Sequence, residues 1–330
     1  MAETHEYFGL LDREQDIETL KELITITSIG VQAVSQMYDD HRRDTKVRER
    51  LFFMQENVVY RISAVMTQYE LLIDGIKRKA VLDLKIDPFC GPFEMHPTVY
   101  KYSCELSSMV DNVFFHLCSA FDYTGHFVSY ILTEGKEKTK DWDSLANTAR
   151  GKWKDAYQTS LLLRQIDANL RKKLDEYRSE LIHRNRDNHM VGAYKEAGTE
   201  LMHLKYTASQ DTMKKFRKLM PGYKTVVPAY REEAKYTMDF LCSMIFYQSL
   251  HYINALFLGL RADLINDSKF RENIESPKMD SPHPFSEDHK TGAIFPNSEY
   301  IWAEYQDQYN SFLLELNSRW AKAKPEVPDI

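Results

Sequence analysis

Leu51-Phe52-Phe53-Met54-Gln55-Glu56-Asn57-Val58-Val59-Tyr60-Arg61-Ile62, continuing to Ile76, is the stretch that decides the fold. Its apolar residues Leu51, Met54, Val58, Ile62, Val65, Tyr69, Leu72 and Ile76 recur in steps of three and four. That spacing stacks them in one stripe of an α-helix, and it predicts a long amphipathic helix over residues 46–80. Upstream, residues 16–37 read as a second helix, weakened at Gly30. Downstream, Pro88, Gly91, Pro92 and Pro97 make residues 87–98 a connection with no regular element of its own.

The pattern returns over residues 99–133, with Leu106, Val110, Val113, Leu117, Phe121, Thr124, Val128 and Ile131 on one stripe. A second stripe, Phe115, Cys118, Asp122 and Ser129, predicts neighbours on two sides. After a charged loop at 134–141 and a short helix at 142–148, residues 153–185 read as one long helix. Its Leu163, Ile166, Leu170, Leu174, Tyr177 and Leu181 face inward. Met190 to Lys195 and Glu200 to Tyr206 then alternate around Gly198, as a β-hairpin does.

Pro228 suits the first turn of a further long helix reaching Leu264. Pro277, Pro282, Pro284 and Pro296 mark a connection, and a last amphipathic helix uses Ile301, Tyr305, Tyr309, Phe312, Leu316 and Trp320. The class is all-α: long antiparallel helices, a small β-hairpin at about 190–206 inserted before the last core helix, and extra N- and C-terminal helices. Residues 1–45 form an N-terminal helical extension and 46–264 the core. Residues 265–330 form a Pro-rich connection and a C-terminal helix packing on that core.

Composition narrows the function classes. The chain has 330 residues, 43% of them hydrophobic and 12% aromatic, enough for a sizeable core. With 49 acidic against 43 basic groups the net charge is −6, so any nucleic-acid site has to be local. Cys90, Cys104, Cys118 and Cys242 are widely separated, which favours reduced thiols and a cytoplasmic setting. Met1 to Glu6 is acidic and polar, unlike a signal peptide. The apolar run 240–260 is interrupted by Ser243, Gln248, His251 and Asn254, so it reads as a core helix and no membrane partner is expected.

No glycine-rich phosphate loop occurs, and no cofactor is expected. Asp122 and His126, with His116 nearby, are too few on one helix for a metal site, and no metal is expected either.

Chemistry concentrates in Tyr177-Arg178-Ser179-Glu180-Leu181-Ile182-His183-Arg184-Asn185. A guanidinium clamps phosphate and an imidazole moves protons, which suffices for cleaving RNA without a metal. The spacing alone is weak, because Arg184 and His189 repeat it by accident. Five residues also put Arg178 and His183 about 140° apart around an ideal helix. They meet if the helix ends there, as Asn185, Asp187 and Asn188 favour, or if two chains bring their helix ends together. The plain alternative is a polar helix end, with Glu180 paired to Arg184 and His183 capping carbonyls.

Phe115-His116-Leu117-Cys118-Ser119-Ala120-Phe121-Asp122-Tyr123, then a variable loop, then Tyr177 to Asn185, resembles the HEPN superfamily of all-α domains in its larger, uncharacterised prokaryotic-type branch. The resemblance spans about residues 46–264. It implies a helical bundle, a homodimer and, in many members, a metal-independent endoribonuclease tied to toxin or phage-defence systems, with a protein partner from such a system. Other members are noncatalytic dimers that bind nucleotides, nucleic acid or proteins.

By position, Arg178 and His183 match the family's catalytic pair, and Asp122 matches an acid that orients the arginine. Ser179 stands where asparagine is frequent, keeping a polar group but losing the amide. Lys172, Lys173, Arg184 and Arg186, together with Arg171, form a basic concentration around this helix end that suits RNA.

Overall fold

The computed structural model describes residues 13–42, 45–79, 81–82, 89–91, 94–95, 97–183, 189–195, 202–208, 212, 215–216, 237–266, 285–287 and 294–322. These form an all-α bundle with a small β insertion. The helices are α1 (Arg13–Arg42), α2 (Thr45–Lys79), α3 (Pro97–Thr133), α4 (Trp142–Arg150), α5 (Gln158–Ile166), α6 (Lys172–His183), α7 (Met238–Asn266) and α8 (Ser298–Lys322).

The stripes that predicted α2 and α3 are the surfaces they bury. Leu51, Val58, Ile62, Val65, Tyr69, Leu72 and Ile76 meet a buried α3 stripe from Leu106 to Ile131. The two helices run antiparallel: Gly75 lies against Leu106 and Met109, Asn112 donates to Gln68, and Arg61 lies over Tyr123. Long helices of low intrinsic stability are held by such apolar faces more than by propensity.

α7 is buried almost all round, from Met238 through Tyr247 and then at Leu250, Ile253, Leu256, Phe257, Leu260 and Leu264. A helix apolar on every side belongs inside a large core. Its length and composition would suit a membrane crossing, yet 72% of its most apolar window is covered by the fold. The buried amide at its middle is fully engaged there. Asn254 donates to Thr27 Oγ1 (2.8 Å) and to the Leu250 carbonyl (2.8 Å), and its Oδ1 accepts from the Tyr305 hydroxyl (2.9 Å). This amide ties α1, α7 and α8 together, and residues of all three share one apolar cluster with α2 and α3.

The strands are β1 (Val81–Leu82), β2 (Phe89–Gly91), β3 (Glu94–Met95), β4 (His189–Lys195), β5 (Met202–Ala208), β6 (Phe285–Glu287) and β7 (Ile294–Pro296). β4 and β5 form the predicted antiparallel hairpin, with Gly192 opposite Lys205, and β1 extends it on the β5 side. Two expectations need correction. Residues 87–98 contain the β2–β3 ribbon, and the Pro-rich segment contains the β6–β7 ribbon, with Pro296 opposite Phe285. Strands of two or three residues are too short to show a period of two, and a two-stranded ribbon leaves proline an open edge.

The helix predicted over 153–185 is interrupted. Gly151 closes α4 by donating to the carbonyls of Asn147 and Thr148, and α5 starts only at Gln158. Tyr157 gives no side-chain cap; instead Asp263 of α7 accepts from Gln158 N (2.7 Å) and Thr159 N (2.9 Å). A carboxylate on those orphan N–H groups is what a helix start favours. A π-helical turn, Asp167–Arg171, then joins α5 to α6. The proposed start at Pro228 lies outside the described residues.

Asp111 on α3 supplies a test of pH dependence. Burial raises its pKa to about 6 from 3.8, and its Oδ1 is buried with no hydrogen-bond partner among the described residues. Below 3.8 both folded and unfolded chains hold the proton. Between 3.8 and about 6 the unfolded chain loses it first, so stability falls as pH rises and then levels off. Asp111→Asn is therefore expected to stabilise the protein by about 1 kcal/mol at pH 7.5, after discounting for the water-facing part of the side chain. The gain should vanish near pH 4. Urea melts at both pH values check this, and an equal gain at both would remove the carboxylate as the cause.

Candidate functional site

Tyr177 anchors the end of α6. Its ring centroid lies 4.2 Å from that of Phe114 on α3 and 5.5 Å from that of Phe216, and all three rings are buried. One residue further, about 100° around the helix, Arg178 turns toward solvent. It is half-buried, and its Cζ lies 5.9 Å from the ring centroid of Phe115, which is 47% exposed. Phe115 was expected on an inward stripe; it serves instead as an open platform for a guanidinium, a favourable cation–π arrangement.

Asp122 was expected to orient Arg178, and the structure gives its carboxylate another partner. Arg171 Nη2 lies 2.9 Å from Asp122 Oδ1, while Arg171 Nη1 meets Asp175. The Arg171 side chain is only 3% exposed, so this residue is a buried cation and no part of a basic surface. Burial opposes its charge, and the hydrogen bond it donates to Asp175, with the charges around it, outweighs that penalty. Beside it, burial pushes the Cys118 thiol up to about 12, although Arg171 and Arg178 both pull it down. Cys118 is therefore a buried thiol and no nucleophile at neutral pH.

The π-helical turn is what brings so much charge inward. Within it, Asp167 and Arg171 are both buried. Asp167 accepts from the Trp142 indole (3.1 Å) and pairs with Arg150, while Arg171 holds α3. Such turns widen a helix locally and recur at functional sites.

The remaining predicted residues scatter. Ser179 and Lys172 are exposed, and Lys173 Nζ donates to the Asn169 carbonyl at 2.6 Å on its own helical stretch. Glu180 pairs with Lys215. α6 stays helical through His183, whose side chain lies outside the described residues, as do Arg184 and Arg186.

Sequence reasoning missed the other side of α3. Arg61 of α2 lies with its Cζ 5.2 Å from the Tyr123 centroid and 5.4 Å from that of Tyr60, which is 62% exposed. Burial, and then the Arg61 charge, lower the pKa of His116 and so favour its neutral imidazole. Only the antiparallel level of α2 against α3 brings Arg61 to His116, and residue spacing along one helix carries no trace of that.

An open groove of about 470 Å³ lies elsewhere, between α1 and α8, lined by Glu22, Thr25, Asp307, Gln308 and Glu315. Its carboxylates repel phosphate, so it is a poor nucleic-acid site. Among the described residues no group of three His, Cys, Asp or Glu side chains is placed to hold a metal ion. Comparison with protein-family models, curated proteins and solved structures finds no match to this chain.

Proposed function

We propose that the protein is a HEPN-like, metal-independent endoribonuclease of the cytoplasm whose reacting groups are Arg178 and His183. The observation that carries this reading is the state of Arg178: a half-exposed guanidinium laid on an open aromatic ring, beside a buried ion-pair cluster that uses Arg171. In the proposed reaction His183 takes the proton of a ribose 2′-hydroxyl, whose oxygen attacks the adjacent phosphorus. The 5′-oxygen leaves with a proton returned by the imidazolium, giving a 2′,3′-cyclic phosphate and a 5′-hydroxyl. Arg178 neutralises the charge growing on the nonbridging oxygens.

Ser179 would bond a phosphate oxygen, and Lys172, Lys173, Arg184 and Arg186 would hold the strand. Asp122 acts at one remove, by fixing Arg171 and with it the packing of α6 on α3.

α6 is helical to its last residue, so within one chain Arg178 and His183 diverge by about 140°. A homodimer resolves this, with Arg178 of one chain facing His183 of the other. Incubating purified protein with labelled RNA is expected to yield cyclic-phosphate ends, with a loss of roughly a hundredfold for Arg178→Ala or His183→Ala. Mixing the two inactive variants should restore about a quarter of the activity, since half the dimers carry one intact composite site. Equal cleavage by wild type and both variants would overturn the assignment.

A second reading is supported by the position of Asp122. Its carboxylate is engaged by Arg171, so Asp122 does not stand as the orienting acid of Arg178 that an active member is expected to have. A noncatalytic dimer that binds RNA, a nucleotide or a protein of a toxin or defence system would keep binding while showing no cyclic-phosphate product.

A further inference from the structure

The open face of α3 joins the two sides of the molecule described above. Arg178 lies over Phe115, the Phe115 ring meets His116 edge-on at 6.2 Å, His116 feels the charge of Arg61, and Arg61 lies between Tyr60 and Tyr123. Guanidinium groups and aromatic rings thus alternate across α6, α3 and α2. Among the described residues, His116 Nδ1 and Arg61 Nε are buried without a hydrogen-bond partner.

Two carboxylates beside this stripe, Asp122 and Asp175, are turned to Arg171 and share its single charge. A strip carrying two cations and open rings complements a chain of phosphates and unpaired bases better than it does an apolar partner. Phe115 and Tyr123 are eight residues apart on α3, about 12 Å along its axis, more than one phosphate spans.

We propose that this face, with Arg61, Phe115, His116 and Tyr60 added to Arg178, binds single-stranded RNA: the arginines grip successive phosphates and the exposed rings stack on bases. The inference rests on the RNA-directed reading above and adds to it the path of the strand. Nothing in it requires cleavage.

The test uses the full chain and a fluorescent 2′-O-methyl RNA oligonucleotide, which lacks the attacking hydroxyl and so reports binding alone. By anisotropy, Arg61→Ala and Phe115→Ala are expected to weaken binding at least about tenfold, and Tyr60→Ala about threefold. Arg61→Ala should also lower the salt dependence by about one phosphate contact, and Arg61→Lys should restore that slope. Lys101→Ala, which removes an exposed charge on α3, should bind as wild type.

Wild-type affinity in both Arg61→Ala and Phe115→Ala would overturn the inference, as would absence of binding by wild type. A wild-type dimer that Phe115→Ala splits would also overturn it, because the face would then be covered by a second copy. The two readings fail separately. Cleavage of unmodified RNA that needs Arg178 and His183 but not Arg61 or Phe115 defeats only the path. Arg61-dependent binding without cyclic-phosphate product defeats only catalysis.

Discussion

Arg171→Ala is expected to lower the free energy of unfolding by about 3 kcal/mol, at the lower end of the range for breaking a buried ion pair. The guanidinium is 3% exposed and holds Asp122 of α3 at 2.9 Å and Asp175 one turn along α6. Removing it strands two carboxylates that are 32% and 28% exposed, and the water each still sees is why the upper end is not reached. Arg171→Met keeps the packed volume and isolates the electrostatic part. Adding Asp122→Asn and Asp175→Asn to Arg171→Met should recover much of the loss, because no charge then lacks a partner. Urea unfolding of the series measures this; a loss under about 0.5 kcal/mol in Arg171→Ala would show that the cluster is held by packing alone.

The stripes of α2 and α3 were readable because periodicity reports which residues point inward. Leu51, Val58, Tyr69, Val110 and Phe121 are buried as their spacing predicts. The breaks in the segment 153–185 were not readable, because their causes lie far along the chain. The cap on α5 comes from Asp263, about a hundred residues later, and the π-helical turn inserts a register change that a 3.6-residue stripe absorbs without notice.

The candidate site divides in the same way. The inward face of Tyr177 was legible in the spacing, but the side taken by the next residue was not: Arg178 is half-exposed, whereas Arg171, which follows the inward Leu170, is buried. Nor was the partner of Asp122, although antiparallel packing decides it: with Phe115 level with Arg178, Asp122 two turns on falls beside Arg171. Arg61 and His116 come together only through the pairing of two helices, which no single-helix pattern encodes.

Gly30→Val is expected to cost about 3 kcal/mol, against what helix propensity predicts. In isolation Gly30 weakens α1, and replacing it by alanine would add up to about 1 kcal/mol. The fold reverses that sign. A Cβ at Gly30 would stand 2.7 Å from Tyr305 Cε2, 2.9 Å from Cζ and 3.0 Å from Phe257 Cδ2.

The Tyr305 ring has no cheap escape. It stacks on Tyr309 at 6.0 Å with 9° between planes, meets Trp302 edge-on at 5.1 Å, and donates its hydroxyl to Asn254 at 2.9 Å. Moving it breaks the amide network that joins α1, α7 and α8. The contact therefore outweighs propensity, giving a net cost of about 1–2 kcal/mol for alanine and more for the branched valine. A double-mutant cycle separates the terms. Tyr305→Ala is costly by itself, but in that background Gly30→Ala should become neutral or stabilising, leaving a coupling of at least about 1 kcal/mol. If Gly30→Ala stabilises the otherwise unaltered protein, α1 does not approach α8 as closely as described, and the glycine has no packing role.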